Sequence, residues 1–191
     1  MAMDLCAVVL AGGQSRRMGF NKALLTVGRT LLIERVVASV RPLTDTILVS
    51  SNDPGPYEFL GLPIIADLFK GQGPLAGLHA AMVRSSQTLY LLLACDMPNL
   101  REVSLRRLVL AAEGFDAVIP RTPDGGNHPL CAVYRKTCLP VIESNLQRGA
   151  NRVTDLFLES SLNVRWVAEV SEWEMVNLNS PDDLISFQKH L

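Results

Sequence analysis

This chain of 191 residues lacks an excess of either charge, because 18 lysines and arginines are balanced by 19 aspartates and glutamates. The formal net charge of −1 argues against a nucleic-acid coat protein or a polybasic membrane anchor. Charged residues make up only 19% and hydrophobic residues 48%, which excludes an intrinsically disordered chain. The length suits one domain, which we expect to span residues 1–191.

The four cysteines include no Cys-x-x-Cys pair, and no cluster of cysteine and histidine has zinc spacing. We therefore expect buried, reduced thiols. The apolar runs fall short of the ~18 residues that a membrane span needs. The opening Met-Ala-Met-Asp lacks the basic segment of a signal peptide. We expect a cytoplasmic protein with no nucleic-acid or membrane partner.

Short apolar runs alternate with helical patterns along the chain. Continuous apolar strands separated by helices predict an α/β fold, a single doubly wound, mostly parallel sheet with helices on both faces. Strands are predicted at residues 5–11, 46–50, 63–66, 88–95, 116–120, 130–135, 163–168 and 174–178. Helices are predicted at residues 31–40, 74–84, 102–113, 138–148, 151–159 and from residue 181 onward.

The loop after the first strand, residues 10–22, reads LAGGQSRRMGFNK. Gly12 and Gly13 let the backbone approach a ligand closely. Three cations follow them: Arg16, Arg17 and Lys22. Free backbone N–H groups with clustered cations form a cradle for phosphates. The loop is not a Walker A motif, because Ala23 stands where a magnesium-binding serine or threonine belongs.

Two aspartates follow predicted strands, where ligands bind in doubly wound folds. Asp96 comes after the most apolar strand, and a triphosphate enzyme needs such a hard oxygen ligand for Mg²⁺. Asp67 ends the strand at residues 63–66. Either residue could instead simply begin a turn.

Residues 71–77 (GQGPLAG) contain the Gly-x-Gly-x-x-Ala pattern of dinucleotide-binding sites. Residues 67–70 separate the first glycine from the strand, so the tight turn is absent. Pro74 also removes a backbone N–H from the pyrophosphate position. A dehydrogenase is therefore a disfavoured alternative.

The second half of the chain offers further candidate ligand-binding residues. Arg121 and His128 lie in a turn-rich segment after the strand at residues 116–120, where function-bearing loops are expected. Arg121 could bind a phosphate through two N–H groups of its guanidinium at once, or it could be a solvated cation. Ser180 and Asp183 predict a helix cap, and Asn179 beside them could still contact a metal or a ligand.

Residues 10–22 resemble the L-A-[GA]-G-x-S-x-R-M-G-x-x-K signature of nucleotidyltransferases that join a nucleotide to a phosphorylated acceptor. The Gly-Gly form resembles the MobA-type molybdenum cofactor guanylyltransferases. Residues 73–77 (GPLAG), 95–98 (CDMP) and 177–183 (NLNSPDD) match further motifs of this family in order. The family's Arg-Asp-His-Pro turn stands here as GNHP at residues 126–129, without its charged half.

The resemblance implies a Rossmann-like nucleotidyltransferase fold, with a nucleotide half at about residues 1–100 and an acceptor half at about 101–191. It implies catalytic roles for Arg17, Lys22 and Asp96, with Asp96 as the Mg²⁺ ligand. The implied nucleotide-binding residues are Leu10, Ala11, Gly12, Gly13, Lys22, Asp67 and Asp96. The implied acceptor-binding residues are Arg121, His128 and Asn179.

The implied reaction is transfer of GMP from Mg·GTP to the terminal phosphate of molybdopterin or molybdenum cofactor, with release of pyrophosphate. The substrates would be GTP and that acceptor, and molybdoenzyme maturation proteins are candidate partners. Alternatives remain: cytidylyl transfer to molybdopterin, nucleotidyl transfer to a sugar phosphate, or a nucleotide-binding protein of this fold without enzymatic activity.

Overall fold

The computed structural model describes residues 4–12, 21–157, 161–168 and 171–189, apart from the side chain of Pro181. The strands in this part are β1 (Leu5–Leu10), β2 (Thr26–Val27), β3 (Thr30–Leu31), β4 (Ile47–Ser50), β5 (Ile64–Ile65), β6 (Leu89–Ala94), β7 (Ala117–Pro120), β8 (Cys131–Arg135) and β9 (Val164–Val167). The α-helices are α1 (Leu32–Val40), α2 (Gly73–Arg84), α3 (Glu102–Leu110), α4 (Leu139–Gln147) and α5 (Pro181–Gln188). Short 3-10 helices lie at Lys22–Leu24, Gly55–Leu60, Lys136–Cys138, Val153–Phe157 and Glu172–Met175.

Within the described part of the chain, the central sheet has seven strands in the order β5-β4-β1-β6-β8-β7-β9, and β2 pairs with β3 in a separate hairpin. β1 runs parallel to β4 and β6, whereas β8 is antiparallel to both β6 and β7. Leu10 at the end of β1 lies level with Ser50 and Ala94, the last residues of β4 and β6. Residues that follow these three strands therefore meet at one edge of the sheet.

Both faces of the sheet are buried, as the continuous apolar strands predict. Leu5, Ala7 and Val9 of β1 pack on one side with apolar residues of α1 and α3. Cys6 and Val8 pack on the other side with apolar residues of α2 and α4. The layered arrangement confirms the predicted α/β fold class.

Two predicted elements are wrong. Residues 174–178 do not form a strand: Glu172–Met175 is a 3-10 helix that buries Glu174 and Met175. The backbone N–H of Leu178 donates to the carbonyl of Asp96 at 2.9 Å, which holds this segment beside the end of β6. The helix predicted at residues 151–159 is reduced to a 3-10 helix at Val153–Phe157, and its last two positions lie outside the described residues.

All four cysteines are free thiols, and Cys6, Cys131 and Cys138 are buried, as predicted. Within the described ranges, no helix is both long enough and apolar enough to cross a membrane.

Candidate active site

The backbone at the end of β1 is held against β4. The N–H groups of Ala11 and Gly12 both donate to the carbonyl oxygen of Ser50, at 3.0 and 3.1 Å. Leu10 and Ala11 are buried, whereas Gly12 is exposed. These three predicted nucleotide-binding residues therefore lie where the chain leaves the sheet.

Lys22 connects the two halves of the chain. It opens the 3-10 helix Lys22–Leu24, and its Nζ donates to Oδ1 of Asn179 at 3.1 Å across 157 positions of sequence. This bond joins a predicted nucleotide residue to a predicted acceptor residue. Gly13 and Arg17 lie outside the described residues, so their roles stay predictions.

Asp96 follows the end of β6, at the edge of the sheet that also holds Leu10. Its Oδ1 is buried and has no hydrogen-bond partner among the described residues. Burial raises the pKa of Asp96, and the positive charge of Lys22 opposes that shift. Because an unpartnered buried carboxylate oxygen costs free energy, this atom is suited to receive a cation.

A cavity of about 270 Å³ opens beside Asp96. Its polar lining comes from Asp96, Asn127, His128, Asn177 and Asn179. Its apolar lining comes from Met97, Pro129, Leu130 and Cys131. The structure thus brings together Asp96, His128 and Asn179, which the sequence places in three separate motifs.

The turn between β7 and β8 is braced by its own side chains. Oγ1 of Thr122 donates to Oδ1 of Asp124 at 2.5 Å and lies 3.2 Å from Nε2 of His128. Asp124 also accepts from the N–H of Gly126 at 3.2 Å. Burial lowers the pKa of His128, although the charge of Asp124 opposes that shift. A neutral ring at pH 7 offers one donor and one acceptor.

Arg121 lies in the same turn but does not line the cavity, whereas Asn127 does. Nε of Arg121 donates to Oδ1 of Asn127 at 3.0 Å. The guanidinium carbon of Arg121 lies 4.8 Å from the ring centre of Trp166, a cation–π distance. Arg121 therefore reaches the predicted acceptor site through Asn127 rather than directly.

Asp67 lies after β5, toward the edge of the sheet. Its Oδ2 accepts from Nδ2 of Asn52 at 2.8 Å, and its N–H donates to Oδ1 of Asn52 at 3.0 Å. This reciprocal pair ties together the segments that follow β4 and β5. Strands β4 and β1 separate Asp67 from the Asp96 cavity, which it does not line.

Gly77 lets α2 pack closely against the ends of β1 and β4. A Cβ at this position would lie 2.5 Å from Oγ of Ser50 and 2.8 Å from Cδ2 of Leu10. Close helix packing therefore explains this glycine of the GPLAG motif.

Two buried polar residues near the site belong to no motif of the sequence. The hydroxyl of Tyr57 donates to the carbonyl of Ala11 at 2.6 Å. Glu174 is buried, and its Oε1 lies 3.6 Å from Nε of Arg101. Burial raises the pKa of Cys131 in the cavity wall to about 12, and the charge of Glu174 adds to that shift. The available signals were a tyrosine in a proline-rich turn and a glutamate in an apolar run.

Comparison with known proteins identifies the family. Residues 7–163 match the family described as MobA-like NTP transferase domain. A "probable molybdenum cofactor guanylyltransferase" from Pelotomaculum thermopropionicum is 38% identical over 191 aligned residues, covering 96% of this chain and 91% of the relative.

Solved structures agree with this match. Molybdopterin-guanine dinucleotide biosynthesis protein A from Archaeoglobus fulgidus is 26% identical with a TM-score of 0.79, covering 96% of this chain and 97% of that one. The 2-C-methyl-D-erythritol 4-phosphate cytidylyltransferase from Thermus thermophilus shares the fold, with a TM-score of 0.76 and 19% identity over 98% of each chain. The chain belongs to the MobA-like NTP transferase domain family and is a nucleotidyltransferase.

Proposed function

We propose that this nucleotidyltransferase transfers GMP from Mg·GTP to the terminal phosphate of molybdopterin or molybdenum cofactor and releases pyrophosphate. The observation that carries the proposal is the unpartnered, buried Oδ1 of Asp96 beside the cavity that His128 and Asn179 also line. An acid with an unpartnered oxygen beside an open cavity suits a reaction that joins two phosphate groups. The names of the relatives support guanine as the base and molybdopterin as the acceptor.

The nucleotide would lie along the carboxyl ends of β5, β4 and β1, in a nucleotide half of about residues 1–100. Its proposed ligands are Leu10, Ala11, Gly12, Gly13, Lys22, Asp67 and Asp96. Arg17 and Lys22 would neutralise the charge of the departing pyrophosphate. The bond from Lys22 to Asn179 supports this role, because it directs the ammonium group toward the cavity that Asn179 lines.

Asp96 is the proposed ligand of a divalent metal ion, Mg²⁺. Mg²⁺ is commonly bound through one or two carboxylates together with substrate phosphates. No group of three or more histidine, cysteine, aspartate and glutamate side chains in the described ranges could hold a metal ion alone, which agrees with an ion shared with the triphosphate. Bound there, the ion would stabilise negative charge on the phosphate oxygens.

The acceptor half, at about residues 101–191, would position molybdopterin. His128 and Asn179 line the cavity and would contact the acceptor, and Arg121 would act through Asn127. An oxygen of the acceptor phosphate forms a bond to the α-phosphorus of GTP while the bond to the bridging oxygen of pyrophosphate breaks. A phosphate is already ionised at neutral pH, so positioning and charge stabilisation suffice without a general base. Molybdoenzyme maturation proteins in the cytoplasm would receive the product.

Nucleotide binding in the presence of Mg²⁺ tests the proposal. A nucleotide at 100 times its Kd adds roughly 2.7 kcal/mol to the free energy of unfolding, which a thermal shift detects. We expect GTP to stabilise the protein far more than CTP, UTP, ATP or NAD, because polar groups placed for one base are left unpaired by another. Pyrophosphate release should then require molybdopterin. Equal stabilisation by CTP and GTP would instead favour cytidylyl transfer.

A further inference from the structure

Tyr57 is a buried tyrosine at the nucleotide edge of the sheet. It lies in the 3-10 helix Gly55–Leu60, and its side chain is only 3% exposed. Its ring belongs to the same apolar cluster as Ala11 and Ala23, which stand on either side of residues 12–20. The hydroxyl group therefore reaches this loop from a distant part of the sequence.

The Tyr57 hydroxyl joins the two ends of the loop. It donates to the carbonyl oxygen of Ala11 at 2.6 Å, and it accepts from Nδ2 of Asn21 at 2.9 Å. A hydroxyl has one proton and accepts through its lone pairs, so both bonds form at once. One oxygen atom thus links the residue before the loop to the residue after it.

The second bond continues toward Lys22. Oδ1 of Asn21 accepts from the N–H of Ala23 at 3.1 Å, which caps the 3-10 helix Lys22–Leu24. Lys22 is the first residue of that helix and donates to Asn179. Tyr57 therefore orients the start of the helix from which the Lys22 side chain projects.

We infer that Tyr57 is a positioning residue that fixes Ala11 and Asn21, the two residues that flank the nucleotide-binding loop, before the nucleotide arrives. The inference rests on the proposed function, in which this loop binds the phosphates of GTP. Fixing both ends of a nine-residue segment beforehand lowers the ordering cost that falls on nucleotide binding. Burial raises the pKa of Tyr57, so the hydroxyl keeps its proton and remains a donor at neutral pH.

Tyr57→Phe removes the hydroxyl and leaves the ring in place. Tyr90→Phe is the matched control, because Tyr90 is fully buried and its hydroxyl bonds only Ser85 among the hydrogen bonds described, both contacts at 3.2 Å. Tyr90 lies near the amino end of β6, whereas Asp96 follows the carboxyl end. Both variants lose one buried hydroxyl, so we expect similar decreases in the thermal midpoint.

Calorimetry with Mg·GTP separates the two variants. We expect Tyr57→Phe to raise the Kd about tenfold, the loss of two hydrogen bonds of ordinary strength. Tyr90→Phe should leave the Kd within about twofold. Adding Asn21→Ala to Tyr57→Phe should raise the Kd by less than Asn21→Ala does alone, because both substitutions break the same link.

Trypsin provides a second readout that needs no nucleotide. Arg16 and Arg17 are cleavage sites within residues 12–20. In the nucleotide-free protein, we expect cleavage at these sites to be about tenfold faster in Tyr57→Phe than in Tyr90→Phe, since local opening follows the lost bonds.

Equal cleavage rates in the two variants would overturn the inference. Equal Kd values of the two variants, for a nucleotide that the unmodified protein binds, would also overturn the inference. If the unmodified protein binds no nucleotide, the proposed function fails, while the cleavage rates still decide whether Tyr57 fixes the residues that flank the loop.

Discussion

Two regions of the molecule position their functional groups in different ways. One is the edge of the sheet at the ends of β1 and β6, and the other is the turn at residues 121–129. Ala11 and Gly12 are bonded to Ser50 of the neighbouring strand, and the half-buried Asp96 has its Oδ1 buried at the same edge. In the turn, Thr122 is the one buried residue among positions 121–129, and the bracing bonds run within the turn itself. The proposed nucleotide side thus depends on the packed sheet, whereas the proposed acceptor side depends on local hydrogen bonds. Substitutions should therefore affect chemistry or stability in the first region and acceptor binding alone in the second.

Among the substitutions that test this comparison, Asp96→Asn should have the largest effect, and the effect should be on kcat. We expect kcat to fall at least ~100-fold, in line with the loss of one preorganised electrostatic group. Because burial raises the pKa of Asp96, the neutral acid favours the folded state more than the ionised form does. The stability that the neutral acid contributes is lost as the pH rises through the raised pKa. The neutral asparagine should therefore keep the thermal midpoint at or above that of the unmodified protein at pH 7.

Steady-state kinetics and thermal unfolding on the same preparations check both expectations. Asp45→Asn is the control, because Asp45 is exposed and lies before β4, at the opposite edge of the sheet. Its kcat should stay within about twofold, as for an ordinary surface substitution. An Asp96→Asn variant with unchanged kcat would show that Asp96 only begins a turn.

Gly77→Ala tests the packed region by its stability. The added Cβ would lie 2.5 Å from Oγ of Ser50 and 2.8 Å from Cδ2 of Leu10, so the helix or the strand ends must move. We expect a loss of about 1–3 kcal/mol in the free energy of unfolding, typical of overpacking. Urea unfolding measures it.

Gly55→Ala is the matched control for that substitution. Apart from its chain neighbours, the atom nearest to the added Cβ would be Oδ1 of Asp53 at 3.7 Å, an ordinary van der Waals distance. Its stability should change by no more than about 0.5 kcal/mol. Equal losses in the two variants would contradict the close packing of α2.

Arg121→Ala should have the smallest effect and should be selective. It removes the hydrogen bond to Asn127 and the contact with Trp166, so Asn127 loses a support at the cavity. We expect the KM for molybdopterin to rise about threefold to tenfold, consistent with one lost hydrogen bond, while the Kd for GTP stays within about twofold. Kinetics with varied molybdopterin at saturating GTP measure this.

Arg165→Ala controls for the loss of a stacked arginine. The guanidinium of Arg165 lies 5.4 Å from the ring centre of Phe115, away from the turn. The KM of the Arg165→Ala variant for molybdopterin should remain unchanged. If both variants raise the acceptor KM equally, Arg121 has no particular connection to the acceptor.

The sequence predicts the sheet and the residues at its edge because simple physics determines both. Unbroken apolar runs indicate strands buried on both faces, and the carboxyl ends of parallel strands converge. Leu10 and Asp96 therefore take their predicted places. The antiparallel direction of β8 could not be read from its sequence, because a buried strand looks the same in either direction.

Contacts between distant side chains could not be predicted. The bond between Lys22 and Asn179 spans 157 positions, and no local pattern encodes it. Tyr57 carries no signal of its partners Ala11 and Asn21. Three apolar residues among positions 174–178 favour a strand, but burial of Glu174 and the bond from Leu178 to Asp96 direct this segment elsewhere.

The insertion of β8 between β6 and β7 affects how the protein can be assembled during synthesis. β6 ends at Ala94 and its partner β8 ends at Arg135, so the ribosome must add about 40 further residues before they can pair. At 5–20 residues per second this interval is roughly 2–8 s, during which one edge of an apolar strand remains unpaired in the nascent chain. Such an edge is a template for aggregation. Cells that synthesise many copies of this protein at the same time should therefore depend on chaperones that bind nascent chains during that interval.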